Sequence, residues 1–542
     1  MATKVVDFFC YGATLPGYAF MHYACRGGGT GLIAEWTGHK GGLTTGGLGV
    51  GDWDTPRWGK VKEFNVWIGR ERMGRTDGSE VKDITSMSAQ LALDAVFIAG
   101  NANIEVRVNC RLKNVFKNQI TKAVYMVEFE NGDFVMMKYC HDASYEVDLA
   151  RMAGVKMRQG RESATHWNEP VEFPDKEGRL STPGLNKTFG PQGYSLYDTR
   201  GDRVWTSSQP PQKHLLTGDA VPVCQANGWR FEFQFNRNGE DIGVPFSKPP
   251  GWSAADTRKI IDLRSYTRVP GSPDPVSAGG VVFPFGNSAR GLENNPLSPE
   301  TGKVGTNGCD LPGHWTNGWM DMTYDQRVET AEHAAWITMG SHWVVQTDPS
   351  ISSSTRDAIA RFRLVTDVWQ TPGDYTLFPG WPPAFYIRDA GGIWAQFNMD
   401  ARMAYNNPDS PDGKWNFDDS VTTGGYPLDI HTPIHFNRPD GYGQKEGYVD
   451  YTKSPNYGVP IRAMLPDFSQ CSNLTVSWGA GGSAIWRSSW RMEQTVARGA
   501  QACGMLMDLA NRGRNGVSIP ISQVPFADLR AMLNAENAVT TV

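Results

Sequence analysis

The segment Gly12-Ala-Thr-Leu-Pro-Gly17 stands between an apolar run, Val5–Tyr11, and a stretch suited to a short helix, Tyr18–Arg26. A glycine turn that leaves a buried strand and opens a helix points backbone N–H groups and the positive end of the helix dipole at one spot. That spot suits a pyrophosphate. The spacing has the outline of the dinucleotide-binding fingerprint, with Ala13 or Thr14 in place of its second glycine. So degraded a fingerprint reads, by itself, equally well as an ordinary tight turn. Glu35 adds to it. It follows the next apolar run, 18 residues past Gly17, where an acidic side chain accepts hydrogen bonds from ribose hydroxyls. His431 and His435 form an HxxxH spacing that would suggest zinc, but Pro433 between them works against the helix that would align both. No metal is expected.

These residues need a βαβ frame to position them. Val5–Tyr11 and Gly31–Ala34 read as strands buried on both faces, joined by the Tyr18–Arg26 helix. The segment Gly41–Asp54 (GGLTTGGLGVGDWD) holds too much glycine for a regular element. From Asn103 to Cys140 the apolar period becomes two, and Asn131-Gly132 between alternating runs predicts a β-hairpin. The stretch from Trp167 to Pro427 is rich in Pro, Gly, Asn and Trp. Within it WRFEFQF (Trp229–Phe235) predicts a strand, and VETAEHAAWITMG and STRDAIARFRLVTDVW predict helices. A last long helix is predicted from Ser489 to Arg512, its apolar face carrying Met492, Val496, Cys503, Met507 and Ala510. Gly499 and Gly504 in that helix cost propensity and imply close packing.

A chain of 542 residues is long enough for several domains and a large core. Lys plus Arg number 52 and Asp plus Glu 57, a net charge of −5 that argues against a nucleic-acid footprint or a polybasic membrane surface. No run approaches the ~18 apolar residues of a membrane span. The first thirty residues lack a secretory pattern, and the eight cysteines are scattered without a CxxC pair. A cytoplasmic setting without a disulfide framework is therefore expected. The 60 glycines follow no strict period, which excludes collagen and points to turns and close backbone approaches.

Several segments, in order along the chain, carry a family resemblance. They are YGAT-x-x-G, Glu35, TGHKGGLTTGGLG (Thr37–Gly49), Lys138–Ser163, Cys224–Pro250, GWPPAFYIRDA, GGYPLDIH and SSWRMEQTVARGAQACG (Ser488–Gly504). Together they resemble the FAD-dependent oxidoreductases of the glutathione-reductase-like superfamily. The nearest likeness is to a large bacterial group of such enzymes, some of which carry the name xanthan lyase. Three departures stand out. Gly391-Gly392 replace a usual Arg pair, Gln494 replaces a Pro, and Val147 replaces a Gly.

The resemblance implies an α/β chain: a Rossmann-like FAD-binding domain built from both chain ends, with an inserted α+β substrate domain. The expected boundaries are 1–165 and 462–542 for the FAD-binding parts and 166–461 for the insertion. It also implies that Gly12, Ala13, Thr14 and Gly17 wrap the pyrophosphate and Glu35 the ribose, while Gly41, Gly42, Thr45, Gly46 and Gly47 lie along the flavin. Asp142 and Ala143 would return the chain to the phosphate region, supported by Tyr145, Glu146 and Asp148, and Leu112 would pack near adenine. Arg491, Met492 and Glu493 would open the last helix, whose dipole favours negative charge on a reduced flavin. For chemistry, His431 suits removal of a hydroxyl proton as hydride leaves. Arg388 joins it at the catalytic centre, with Asp400 and Asp429 as further substrate-site candidates.

The expected function is oxidation of a hydroxyl group on a small organic substrate, such as a sugar or glycoside, by hydride transfer to FAD. Trp229, Trp252, Trp315, Trp319, Trp381 and Trp394 would suit stacking on rings, though core packing suits them equally. The alternatives are a flavin-assisted carbohydrate lyase and a flavin-free carbohydrate-binding or hydrolytic protein. The electron acceptor is unknown, no further dinucleotide fingerprint points to bound NAD(P), and association into a homo-oligomer stays open.

Overall fold

The computed structural model describes residues 2–160 apart from 50, 53 and 54, most of 228–257 and 302–430, and 456–542. The N-terminal unit is β1 (Thr3–Tyr11), α1 (Leu15–Ala24) and β2 (Gly31–Ala34), with β1 and β2 parallel and Tyr11 opposite Ala34. Pro16 and Gly17 fall inside α1, not before it. Proline in a first turn lacks only an N–H that would have no helical partner, and the Thr14 hydroxyl accepts the Gly17 N–H as N-cap.

Around this unit grows a mixed sheet in the order β3 (Ile104–Arg107), β2, β1, β6 (Phe134–Asp142), β5 (Val124–Phe129), β4 (Leu112–Lys117). β3, β2, β1 and β6 are parallel, while β5 pairs antiparallel with both β6 and β4. The β5–β6 hairpin turns at Asn131-Gly132, with Gly132 at φ +85°, a left-handed position that suits glycine. Near the other chain end, the strand Leu474–Val476 lies parallel to the last three residues of β6. The carboxyl ends of β1, β2 and β6 thus stand in register at Tyr11, Ala34 and Asp142. In a doubly wound sheet, ligands gather at such an edge.

The final long helix differs from expectation in one useful way. Two helices, Ala484–Trp490 and Glu493–Arg512, are separated at Arg491-Met492. The second packs on α1, and at Gly504 any Cβ would collide with the Phe20 carbonyl. WRFEFQF likewise divides into the strands Asn227–Trp229 and Glu232–Phe235, with Arg230-Phe231 between them. The helix spanning VETAEHAAWITMG is longer than that motif, Tyr324–Thr347, and starts at a Thr323/Gln326 capping box. STRDAIARFRLVTDVW is a helix only over Ser353–Ala360. Phe362–Leu364 then pairs with Phe233–Phe235, because its alternating apolar side chains fit a half-buried sheet face. Gly42–Thr45 forms one helical turn inside the glycine-rich segment that reads as irregular. The six described cysteines are buried and free, and among the described residues no helix is long and apolar enough to cross a membrane.

Candidate active site

Two cavities open at the carboxyl edge of the sheet. The smaller, about 410 Å³, is lined by Thr14 at the α1 cap, Glu35 to Thr37 after β2, His39, Gly42, Ser144 to Glu146 after β6, and Pro383 to Phe385. The larger, about 750 Å³, is lined by Leu15, Leu43, Thr44, Leu48, Gly49, Gly51, Asp52, Lys82, Ile84 and Trp478 on one side. Arg230, Tyr386 to Arg388 and Arg491 to Gln494 complete it.

Gly12 explains the local closeness of the loops. It sits at φ +105°, and a Cβ there would meet the Ala143 carbonyl and the Ser144 nitrogen at 2.5 Å. Thr14 Oγ1 donates to the Ala143 carbonyl at 2.8 Å, and the Gly41 N–H donates to the Ala13 carbonyl at 2.6 Å. The three segments after β1, β2 and β6 are therefore one hydrogen-bonded unit. Gly12, Ala13, Thr14, Gly17, Gly41, Gly42, Ala143 and Glu35 are brought together as the sequence pattern implies.

Several side chains take roles other than those expected. The Ala13 N–H donates to Glu35 Oε2 at 3.0 Å instead of facing outward, and Thr37 donates its N–H and hydroxyl to Oε1 at 3.1 Å. Burial pushes Glu35 up to about 7, against those donors, which favour the charged form. Thr45 bonds within its own loop, to the Lys40 carbonyl and His39 Nε2. Gly46 and Gly47 lie against Ala384 and Arg230 and line neither cavity. Asp142 is fully buried and accepts from Ser144 and the Ala150 N–H, so it ties the turn and the following helix. Leu112 lies in the core with its N–H donated to Tyr324 Oη, and it lines neither cavity. Asp400 is ion-paired with Arg402 away from both cavities.

The helix break delivers Arg491, Met492 and Glu493 to the larger cavity. Arg491 donates to Tyr386 Oη at 2.8 Å, to the Asp429 carbonyl at 2.9 Å and to Asp429 Oδ2 at 3.1 Å. Glu493 Oε1 accepts from Tyr145 Oη at 2.5 Å, and Tyr145 Oη accepts the Leu43 N–H at 2.7 Å. Glu493 Oε2 and Thr44 Oγ1 are buried and lack a well-formed hydrogen bond among the described residues, the Thr44 hydroxyl standing near enough to the Glu493 carboxyl to favour its charged form. Burial pushes the Glu493 carboxyl up to about 7. Arg388 lines the same cavity, whereas His431 lies outside the described residues.

Arg230, Tyr386, Trp478 and His39 were not among the expected site residues. The alternation Tyr386-Ile387-Arg388 puts the first and third side chains on one face of an extended segment, a usable signal. Arg230, which alternates with aromatic residues in Trp229-Arg230-Phe231, is another.

The buried polar atoms of Thr44 and Glu493 at the larger cavity and the glycine-closed loop at the smaller suit a bound dinucleotide.

Comparison with known proteins supports the cofactor. A family model described as FAD dependent oxidoreductase matches residues 7–533. No curated protein matches. Among solved structures, thioredoxin reductase of T. acidophilum is 19% identical over 26% of this chain and 35% of its own, with a TM-score of 0.17. Cyclohexanone monooxygenase is 17% identical over 26% of this chain and 27% of its own, with a TM-score of 0.20. PqsL from Pseudomonas aeruginosa, a probable FAD-dependent monooxygenase, is 14% identical over 26% and 42%, with a TM-score of 0.19. The match thus spans less than half the length of each of these structures. On the family match over nearly its whole length, the chain belongs to the FAD dependent oxidoreductase family.

Proposed function

We propose that the larger cavity oxidises a hydroxyl group of a small organic substrate, with FAD as hydride acceptor. The supporting observation is a polar wall of Arg230, Tyr386 and Arg388 in the same cavity as the start of the 493–512 helix. In this reading Thr14, Glu35, Gly42 and Tyr145 hold the adenosine side of the cofactor. Leu15, Thr44, Trp478 and Glu493 hold the flavin side, with Arg491 and Met492 at the helix start. Bound FAD supplies the two-electron acceptor.

The chain must then remove the hydroxyl proton as the C–H bond breaks. His431 is the proposed proton acceptor; Asp429, two residues before it, is held at the cavity by Arg491. Arg388 orients the substrate. The proposed organisation keeps 1–165 and 462–542 as the FAD-binding parts around an insertion, 166–461. The pairing of Leu474–Val476 with β6 and the packing of the 493–512 helix on α1 support it.

A sugar or glycoside remains in this reading on hydroxyl chemistry alone. Trp229, Trp252, Trp319 and Trp381 are core residues, and Trp394 stacks with Lys156 and Arg158. None of these five lines either cavity, and Trp315 lies outside the described residues. The family match removes the flavin-free alternative. The test is anaerobic addition of polyols, glycosides and phenolic compounds to the purified holoenzyme. Bleaching of the flavin band, with a product lighter by two hydrogens, is expected. A product formed by elimination with no net loss of hydrogen would turn the reading to a lyase.

A further inference from the structure

The helix that begins at Glu493 brings a carboxyl to the larger cavity in its first turn, on a residue only 7% exposed. Glu493 Oε1 accepts from Tyr145 Oη at 2.5 Å, and the phenol oxygen itself accepts the Leu43 N–H at 2.7 Å. A backbone N–H cannot accept, so the single phenolic proton goes to Glu493 and the direction of the chain is fixed. Oε1 is thereby committed as an acceptor. Oε2 is buried and lacks a well-formed hydrogen bond among the described residues, as does Thr44 Oγ1 in the same cavity.

No cation compensates this carboxyl. Lys82, Arg230, Arg388 and Arg491 share the cavity with Asp52 and Tyr386, yet among the described residues none is ion-paired with Glu493. Arg491, two residues earlier, is turned to Tyr386 and Asp429. The Tyr145 and Thr44 hydroxyls favour the charged form, and burial outweighs both, lifting the carboxyl to about 7. An anion buried without a counter-ion is costly, whereas a neutral acid needs only an acceptor for its proton. The edge of an isoalloxazine ring carries carbonyl oxygens and bare ring nitrogens as acceptors, against one N–H donor.

We propose that Glu493 keeps its proton on Oε2 and donates it in a hydrogen bond to an acceptor of the FAD ring. This rests on the reading that the flavin side of the cofactor occupies the larger cavity, and it assigns the protonation state of one residue there. The balance is a single proton and no electrons. Above neutral pH, Glu493 of the flavin-free protein is ionised and takes a proton from solvent as FAD binds. Glu493→Gln preserves the pattern at every pH, because its carbonyl accepts from Tyr145 and its amide N–H donates where Oε2–H would.

The experiment dilutes the holoenzyme and reads released FAD by its fluorescence, giving dissociation constants for the parent and Glu493→Gln at a series of pH values. Glu35, which burial also lifts to about 7, titrates alike in both proteins, as do Glu146 and His39. The ratio of the two constants therefore isolates Glu493. The parent is expected to weaken relative to Glu493→Gln roughly tenfold or more between about pH 6 and about pH 9. A pH indicator in weak buffer should show that above neutral pH the parent releases more protons per FAD than the variant, by up to one. A ratio that rises in favour of the parent with pH would overturn the proposal and make Glu493 a carboxylate that accepts the ring N–H. Glu493→Ala should hold FAD less tightly below neutral pH and shift the flavin absorbance band. A ratio flat in pH while the Ala variant still shifts that band would sink the proposal alone. Unaltered constants and an unaltered band in both variants would put the flavin outside this cavity and sink the reading beneath it, so the two failures are distinguishable.

Discussion

The two cavities meet at Tyr145 and Trp478, whose rings lie 4.7 Å apart, and they are opposite in charge. The smaller is lined by two acids, Glu35 and Glu146, both raised by burial, beside a His39 that burial pushes down to about 4 and keeps neutral. The larger is cationic. They also differ in how charge is tolerated. Glu35 takes backbone and hydroxyl donors from its own loops. Glu146 stands near a buried bidentate pair, Asp148 with Arg327 at 2.5 and 2.8 Å. In the larger cavity three guanidinium groups surround a phenol. A wall whose charges are all satisfied locally serves the fold and a fixed ligand. A wall that crowds like charges is costly to the fold.

The largest effect should come from breaking the satisfied side. Arg327→Ala removes the bidentate partner of buried Asp148 and leaves it only the half-buried Arg151 at 3.0 Å, and it is expected to cost about 3 kcal/mol in chemical denaturation. Arg388→Gln on the crowded side should change stability by only about 1 kcal/mol, the scale of its contact with the Tyr386 ring. A loss at Arg388 as large as that at Arg327 would erase the contrast.

Next comes Glu493, which bonds to the Tyr145 seam and lines the larger cavity. Burial raises its folded value from 4.5 to about 7, so its carboxyl stabilises the fold fully below pH 4.5 and that contribution is lost as pH rises through about 7. Glu493→Gln, which cannot ionise, should gain on the parent protein over that window by about 3 kcal/mol, measured by denaturation of flavin-stripped protein at a series of pH values. A difference that does not vary with pH would show that Glu493 is not buried in its neutral form. Smaller again, Glu35→Ala should weaken FAD by about 1.5–3 kcal/mol, read from the dissociation constant of added FAD. Arg388→Gln should leave it unchanged. Equal retention by both variants would mean that the acidic cavity does not hold the ribose.

Much of the acidic side could be read from residue order. Strand, glycine turn, helix and strand are local signals, and the positions of Gly12, Thr14 and Glu35 follow from them. What escaped were breaks and long-range contacts. Arg230 enters the larger cavity because a strand is interrupted in an otherwise unbroken aromatic run, and Arg491 because a helix restarts two residues later. Apolar periodicity continues across both breaks and hides them. Leu112 shows the reverse error. Its strand was placed correctly, but its N–H is occupied by Tyr324, 212 residues away, which no local pattern announces.

The finest test lies at the seam itself. Val147 is a β-branched residue at φ +58°, fully buried, in the segment between Tyr145 and the helix that begins at Asp148. The left-handed region costs a non-glycine residue roughly 1–2 kcal/mol. Its side chain fills the space over Gly479, next to Trp478: a Cβ on Gly479 would meet Val147 Cγ2 at 2.5 Å and its Cγ1 at 2.9 Å. Val147→Gly should relieve the strain but forfeit the buried side chain, worth about 1.5–3 kcal/mol, for a net loss near 1 kcal/mol. Gly479→Ala alone should cost about 1–3 kcal/mol by overpacking. Because the three atoms nearest the new Cβ all belong to Val147, the double variant removes that collision, and its loss should be smaller than the sum of the two by about 1 kcal/mol or more. Additive losses in a double-mutant cycle would mean that the segments after β6 and after Leu474–Val476 adjust independently. The two cavities would then lack the rigid partition that keeps their opposite charges apart.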